Sequence, residues 1–213
     1  RVSVIIGFIS VAIAALLSGV IGIVSGYYGG WLDSIAQRFI DILISFPAIV
    51  LLVVLVSVFA PPGTERGTEF WRGMALIVGL GVIIAGGASR VIRGATIAVK
   101  QNQYFDAARA IGASDLRILL RYILPNVFAV ILILSTIQLG AAILAEASIS
   151  FLGYGIPPPF PAWGTMLSTQ GVPFMRDNPW LAVWPGLAIA LAVYGFNMFG
   201  DALRDVLDPR LRG

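Results

Sequence analysis

What most limits how this chain can fold is the length of its uncharged apolar runs. Residues 2–32 carry no charge at all, and four further runs, 42–64, 73–89, 122–145 and 178–200, are equally free of it. A helix needs about 20 apolar residues to cross the hydrocarbon core of a bilayer. Lipid offers no partner to an unpaired backbone group, so each run is expected to be helical, and no barrel-like alternation is present. The fold class expected is therefore an all-α integral membrane protein, a bundle of five transmembrane helices. Gly19, Gly22 and Gly26 in the first run, and Gly79 and Gly81 in the third, are small enough to bring helices close together.

Composition removes most chemistry. With 58% hydrophobic and 12% charged residues, no Cys and no His, the chain lacks thiol nucleophiles, imidazole bases and the usual zinc or nickel ligands. The single lysine, Lys100, is not preceded by the glycine spacing that cradles phosphates. No bound cofactor and no catalytic residue is expected, so the chain does not read as an enzyme. The net charge of +3 is spread through the connections instead of gathered in a stripe, which speaks against a nucleic-acid partner.

Basic residues orient the bundle. Arg38, Arg90, Arg93, Lys100, Arg109, Arg117, Arg121, Arg204, Arg210 and Arg212 fall on one side, and Arg1, Arg66, Arg72 and Arg176 on the other. The first side is expected to be cytoplasmic and to hold the C-terminus. Ser114 should then be reached from the cytoplasm and Ser168 from outside.

Two connections are organised. Residues 90–121 read as two short cytoplasmic helices joined at Gly112, which can adopt the left-handed conformation, with Ser114 and Asp115 suited to cap the second. In that second helix Leu116, Leu119, Leu120 and Ile123 share a face, with Arg117 and Arg121 opposite. Residues 146–179 are rich in Gly, Pro and aromatics, including Pro157-Pro158-Pro159, and read as an external cap.

Asp106-Ala107-Ala108, followed by Gly112 and Leu124-Pro125, resembles the EAA loop of binding-protein-dependent ABC importer permeases, with Asp106 where that family has Glu. Tyr27-Tyr28-Gly29-Gly30-Trp31-Leu32-Asp33, Asp41 and Phe46-Pro47 resemble the C-type subunit of the dipeptide, oligopeptide and nickel group. So do Glu146 to Gly153, Pro161-Ala162-Trp163-Gly164, and Phe196-Asn197 to Leu211. The resemblance covers the whole chain in order and implies a single transmembrane domain over 1–213, preceded in the full subunit by a sixth helix.

What the resemblance implies is a permease that forms a heterodimer with a homologous B-type permease in the bacterial or archaeal cell membrane. Two ABC ATPase subunits using ATP and Mg would dock on it, and an external binding protein would deliver di- or oligopeptides, or nickel or another small solute. Tyr104, Phe105, Asp106, Ala107, Ala108, Arg109 and Gly112 would couple to the ATPase, with Tyr104 and Phe105 as anchors. Charges at membrane depth mark Asp41 and Glu146 as candidates for the translocation path. Asp41 also suits an ion pair with Arg38 three residues earlier, Glu146 could instead anchor the cap, and Asp201, Arg204 and Asp205 read as a cytoplasmic network. A transporter driven by an ion gradient would be the rival, and would want paired acids or broken helices at mid-membrane.

Overall fold

A computed structural model describes residues 1–59, 68–157, 159–168 and 172–207. Arg66, the end of the second apolar run at Thr64, Pro158, and Asp208 to Leu211 with Arg210 and Arg212 lie outside the described residues. The elements are helices α1 (Val2–Tyr28), α2 (Gly30–Ile44), α3 (Ala48–Phe59), α4 (Thr68–Lys100), α5 (Gln103–Ala110), α6 (Asp115–Ile118), α7 (Leu124–Phe151), α8 (Trp163–Leu167), α9 (Val172–Asp177) and α10 (Trp180–Leu207), with a π-helical turn at Leu119–Ile123 between α6 and α7. No strand occurs among the described residues. Four helical stretches there are long and apolar enough to cross a membrane, Val2–Tyr28, Glu69–Lys100, Asp115–Phe151 and Trp180–Leu207, and α2 with α3 makes a fifth if that bent pair is one span.

Helix α1 is the axis of the bundle, packed most extensively against α4 and also against α7. Its buried face is a stripe of small residues, Ser3, Gly7, Ser10, Ala14, Ser18, Gly22 and Ser25. Small side chains let backbones approach, and van der Waals packing at close range holds helices together where lipid removes the hydrophobic drive. A Cβ on Gly22 would stand 2.7 Å from the Ser89 carbonyl oxygen, and one on Gly26 2.9 Å from that of Arg93. The glycines singled out for packing are thus at helix crossings.

Several boundaries differ from those expected: α7 runs to Phe151, six residues into the segment expected as the cap, and α10 runs to Leu207. The run 42–64 is not one straight span: α2 and α3 meet at 87°, where Pro47 has no N–H to continue the helix and restricts Phe46 before it. Helix α4 does not stop at Ser89 but continues to Lys100, so the first third of the segment expected as a separate helix pair belongs to the long helix before it. Ile92 and Thr96 are fully buried there, while Arg90 and Arg93 leave the opposite side toward acids on α2. Finally, α6 enters α7 through the π turn. Pro125 at the start of α7 cannot donate to a carbonyl in the preceding turn, and the Asn126 side-chain amide instead donates to the Tyr122 carbonyl at 2.6 Å.

That turn changes which face is buried. Ile118 and Ile123, five residues apart, are fully buried, whereas Leu116 and Leu120 are exposed. Of the face expected from a 3.6-residue period, Ile123 is buried and Leu119 packs against the same cluster, but Leu116 and Leu120 are turned out and Ile118 takes the inward place, because a π turn resets the register by one residue.

Helix α7 has 28 residues and spans about 42 Å at about 1.5 Å per residue, so α5 and α8 flank its opposite ends. Aromatics gather around the α8 end: Phe70 and Trp71 meet edge to face at 5.6 Å at the start of α4, and Trp180 and Trp184 lie 6.1 Å apart at the start of α10. Aromatic rings collect at membrane interfaces because one side is apolar and the other tolerates water.

Candidate coupling site

Helix α5 lies across the end of the bundle where α1 and α4 finish. Asn102 takes an extended conformation before it, and its carbonyl accepts from the Phe105 N–H at 2.9 Å. Past its far end the Ala113 N–H donates to the Ala108 carbonyl at 3.1 Å and the Gly112 N–H to that of Arg109 at 2.9 Å. This paired closure needs a residue with positive φ, and Gly112 supplies it at 77°. Ser114 precedes α6 in extended conformation, with its hydroxyl making no cap bond.

The helix has one inward and one outward face. Phe105 is 2% and Ala108 3% exposed, and Phe105 packs in one cluster with Tyr27, Ile118 and Ile123. Tyr104, Asp106, Ala107, Arg109 and Ala110 are exposed. Phe105 is accordingly not an anchor for a partner, as expected from sequence, but the residue that seats α5 on its own chain. The large apolar side chains left accessible here are Tyr104 and, beyond the helix, Ile111 at 80% exposure. Tyr104, Ala107 and Ile111 are spaced three and four apart, along one side of the chain. Tyr104 stacks with Tyr122 at 6.5 Å, which holds its ring without covering it. The Arg109 guanidinium lies 5.0 Å from the centre of the Phe105 ring, a cation over an aromatic face.

Asp41 is paired with Arg90 of α4, and not with Arg38. A neighbour three residues away on the same helix gains only a few tenths of a kcal/mol, and the crossing of α2 over α4 presents a better-aimed guanidinium. The same crossing places Asp33 against Arg93, with both carboxylate oxygens accepting at 2.6 Å. Sequence reasoning missed Asp33 as half of this bidentate pair. Asp201, Arg204 and Asp205 are exposed and form no ion pair among the described residues.

Glu146 is fully enclosed and faces no open path in this conformation. The Ser150 hydroxyl donates to its Oε1 at 2.6 Å, while Oε2 has no partner among the described residues. One residue on, the Ala147 carbonyl is so close to α8 that a Cβ on Gly164 would stand 2.0 Å from its oxygen. The Trp163 N–H reaches Ser3 of α1 at 3.4 Å. Ser168 is likewise buried, its hydroxyl bonded to the Thr165 carbonyl. An apolar groove of about 350 Å³ between α3 and α4, lined by Leu55, Phe59, Trp71, Met74, Val78 and Val82, contains neither Asp41 nor Glu146.

The architecture is shared with solved transporters. The MetNI methionine ABC transporter in an inward-facing conformation superposes with a TM-score of 0.63 at 22% identity, over 93% of this chain and 94% of that one. An amino acid ABC transporter gives 0.63 at 16% identity, over 98% and 90%. At such identities the likeness is one of fold. Closer in sequence are the glutathione transport system permease protein GsiD of Pectobacterium atrosepticum, 38% identical, and the dipeptide transport system permease protein DppC of Alkalihalophilus pseudofirmus, 37% identical. Escherichia coli GsiD is 39% identical. Each match takes in all of this chain, which spans about two thirds of the relative's length: 67%, 66% and 67%. The family model described as binding-protein-dependent transport system inner membrane component matches residues 18–213, which contain α5, the Gly112 turn and both α2–α4 ion pairs. On that match and these identities, the chain belongs to the family of binding-protein-dependent transport system inner membrane components.

Proposed function

We propose that this chain is the membrane permease component of an ATP-driven importer of small peptides. It would form the path with a homologous permease, receive peptide from a binding protein, and take its energy from two ATPase subunits docked at α5. The relatives are named for dipeptide and glutathione transport, and both cargoes are short peptides. The observation that carries the reading is the division of α5. Its inner face is locked to the bundle by Phe105 and Ala108, and its outer face offers Tyr104, Ala107 and Ile111 with Asp106 and Arg109 exposed beside them. A helix so built transmits displacement, since whatever grips the outer face moves the ends of α1 and α4 beneath. A conformational change needs a ligand of unequal affinity for the two states, and the nucleotide-bound ATPase pair supplies it.

In this arrangement residues 1–213 form one transmembrane domain, with the α5 end and the C-terminus in the cytoplasm and residues 146–179 forming the external cap. ATP and Mg act in the partner subunits. The cap is tied down by the packing of Gly164 on Ala147 and by the Trp163 N–H on Ser3, so Glu146 serves the closed end of the bundle. The α2–α3 bend is one of the two features an ion-gradient transporter would want, but the acids beside it, Asp33 and Asp41, are engaged by Arg93 and Arg90 and not by each other, which favours the ATP-driven reading.

The test is purification of the natural complex and reconstitution in proteoliposomes with its binding protein. ATP-dependent accumulation of labelled dipeptide or glutathione is expected, with both ATPases co-purifying. Uptake driven by a proton or sodium gradient without ATP would overturn the reading.

A further inference from the structure

Tyr27, one residue before the end of α1, carries no assigned role, yet it meets α4, α5 and α6 at once. It is 3% exposed. Its hydroxyl donates to Asp115 Oδ1 at the start of α6, at 2.5 Å. Its ring meets Phe105 edge to face at 6.1 Å and lies 5.8 Å from the Arg109 guanidinium. Its carbonyl accepts from the ammonium of Lys100 at 2.6 Å, with the Gly26 carbonyl at 3.4 Å. The only lysine of the chain thus caps the C-terminal carbonyls of α1, where helix ends favour a cation, and binds the end of α4 to the same residue.

We propose that Tyr27 is the positioning residue that makes α1 follow the coupling helix; this rests on the coupling role given to α5 above. A displacement of α5 carries Phe105 and Arg109 with it, and Asp115 follows through the short turn at Gly112. The ring of Tyr27 can keep both sets of partners only if α1 moves as well. Its phenol is rigid, with two side-chain torsions, and the bond to a carboxylate is stronger than one between neutral groups. Because α1 is the axis against which α4 and α7 pack, moving its end moves the bundle.

The experiment uses the complete complex in proteoliposomes and measures ATP hydrolysed per peptide taken up. Tyr27→Phe keeps the ring under Arg109 and removes only the hydroxyl; Asp115→Ala removes the acceptor; Asp115→Asn keeps an Oδ1 that can accept. Tyr27→Phe and Asp115→Ala are each expected to raise the ATP used per peptide about tenfold, the scale of one hydrogen bond to a charged group. Both should retain the ATPases on purification. Asp115→Asn, which keeps a weaker neutral acceptor, should fall between the parent and Asp115→Ala, and Tyr27→Phe with Asp115→Ala should be no worse than either alone, as two halves of one contact. Parental coupling in Tyr27→Phe, additive losses in the double variant, or loss of assembly in Tyr27→Phe would each overturn the joint, the last by reducing Tyr27 to a packing residue. Failure of the unmodified complex to bind ATPases would instead sink the importer reading and leaves a distinct signature.

Discussion

At the scale of single residues, Gly112 is where local chemistry and function meet most directly. Its φ of 77° lies in the region that L side chains rarely adopt, and a Cβ there would meet nothing within 4 Å. Any penalty is therefore one of backbone conformation alone, about 1–2 kcal/mol for an ordinary side chain and more for a β-branched one. Gly112→Val is expected to insert normally but lose most peptide uptake, because the turn that sets α5 on α6 is strained. Gly112→Asn, which tolerates this conformation, should keep at least half. Equal uptake by the two variants, measured beside their amounts in the membrane, would remove the turn from the coupling path. The turn was legible in sequence, since a glycine after a helical octet and before Ser114-Asp115 leaves few alternatives. The orientation of Phe105 was not. Tyr104 and Phe105 are successive aromatics about 100° apart around the helix, and which of them faces inward depends on Tyr27, Ile118 and Ile123 beneath.

Among elements, the crossing of α2 over α4 shows how hydropathy misplaces a helix end. Arg90 and Arg93 read as the start of a loop because a charge at membrane depth is unfavourable when it stands alone. Neither stands alone: Asp41 and Asp33 meet them from α2, 49 and 60 residues away in sequence. The Asp33 side chain keeps 15% and Arg93 34% of its exposure, so their bidentate pair is the more shielded of the two. Removing one partner leaves a half-buried charge unsatisfied. Asp33→Asn and Arg93→Gln should each lower the thermal stability of the purified complex, by roughly 1–3 kcal/mol, and the double variant should lose clearly less than the sum. Strict additivity would show that the pair contributes no coupling. Arg93→Lys should not rescue, since an ammonium cannot reproduce the two parallel bonds.

For the whole molecule, the question is which way the bundle faces. Ten basic residues against four orient it by charge, and α5 and α8 lie at opposite ends of α7. The chain contains no cysteine, so single introduced cysteines report without background. Ser168 is a poor site because it is buried, but Asn178 and Ser114 are exposed. A membrane-impermeant thiol reagent applied to intact cells should label Asn178→Cys and spare Ser114→Cys; the opposite pattern would invert the topology and with it the docking of ATPases at α5.

Helical membrane segments, the turn at Gly112 and membership of the family were determined by sequence alone, because each rests on local physics or on motifs contiguous in the chain. Backbone groups in lipid pair with neighbours four residues away, and a glycine's conformational range belongs to the residue itself. The tertiary structure decided the rest. It turned Phe105 inward, gave Asp41 to Arg90, enclosed Glu146 beneath α8, and reset the α6–α7 register through the π turn at Leu119–Ile123. Each of those outcomes depends on which distant backbone comes close. Tyr27 and Asp115 are 88 residues apart, and no period or spacing along the chain encodes their meeting. They are brought together by the cluster in which Tyr27 packs with Phe105, Ile118 and Ile123.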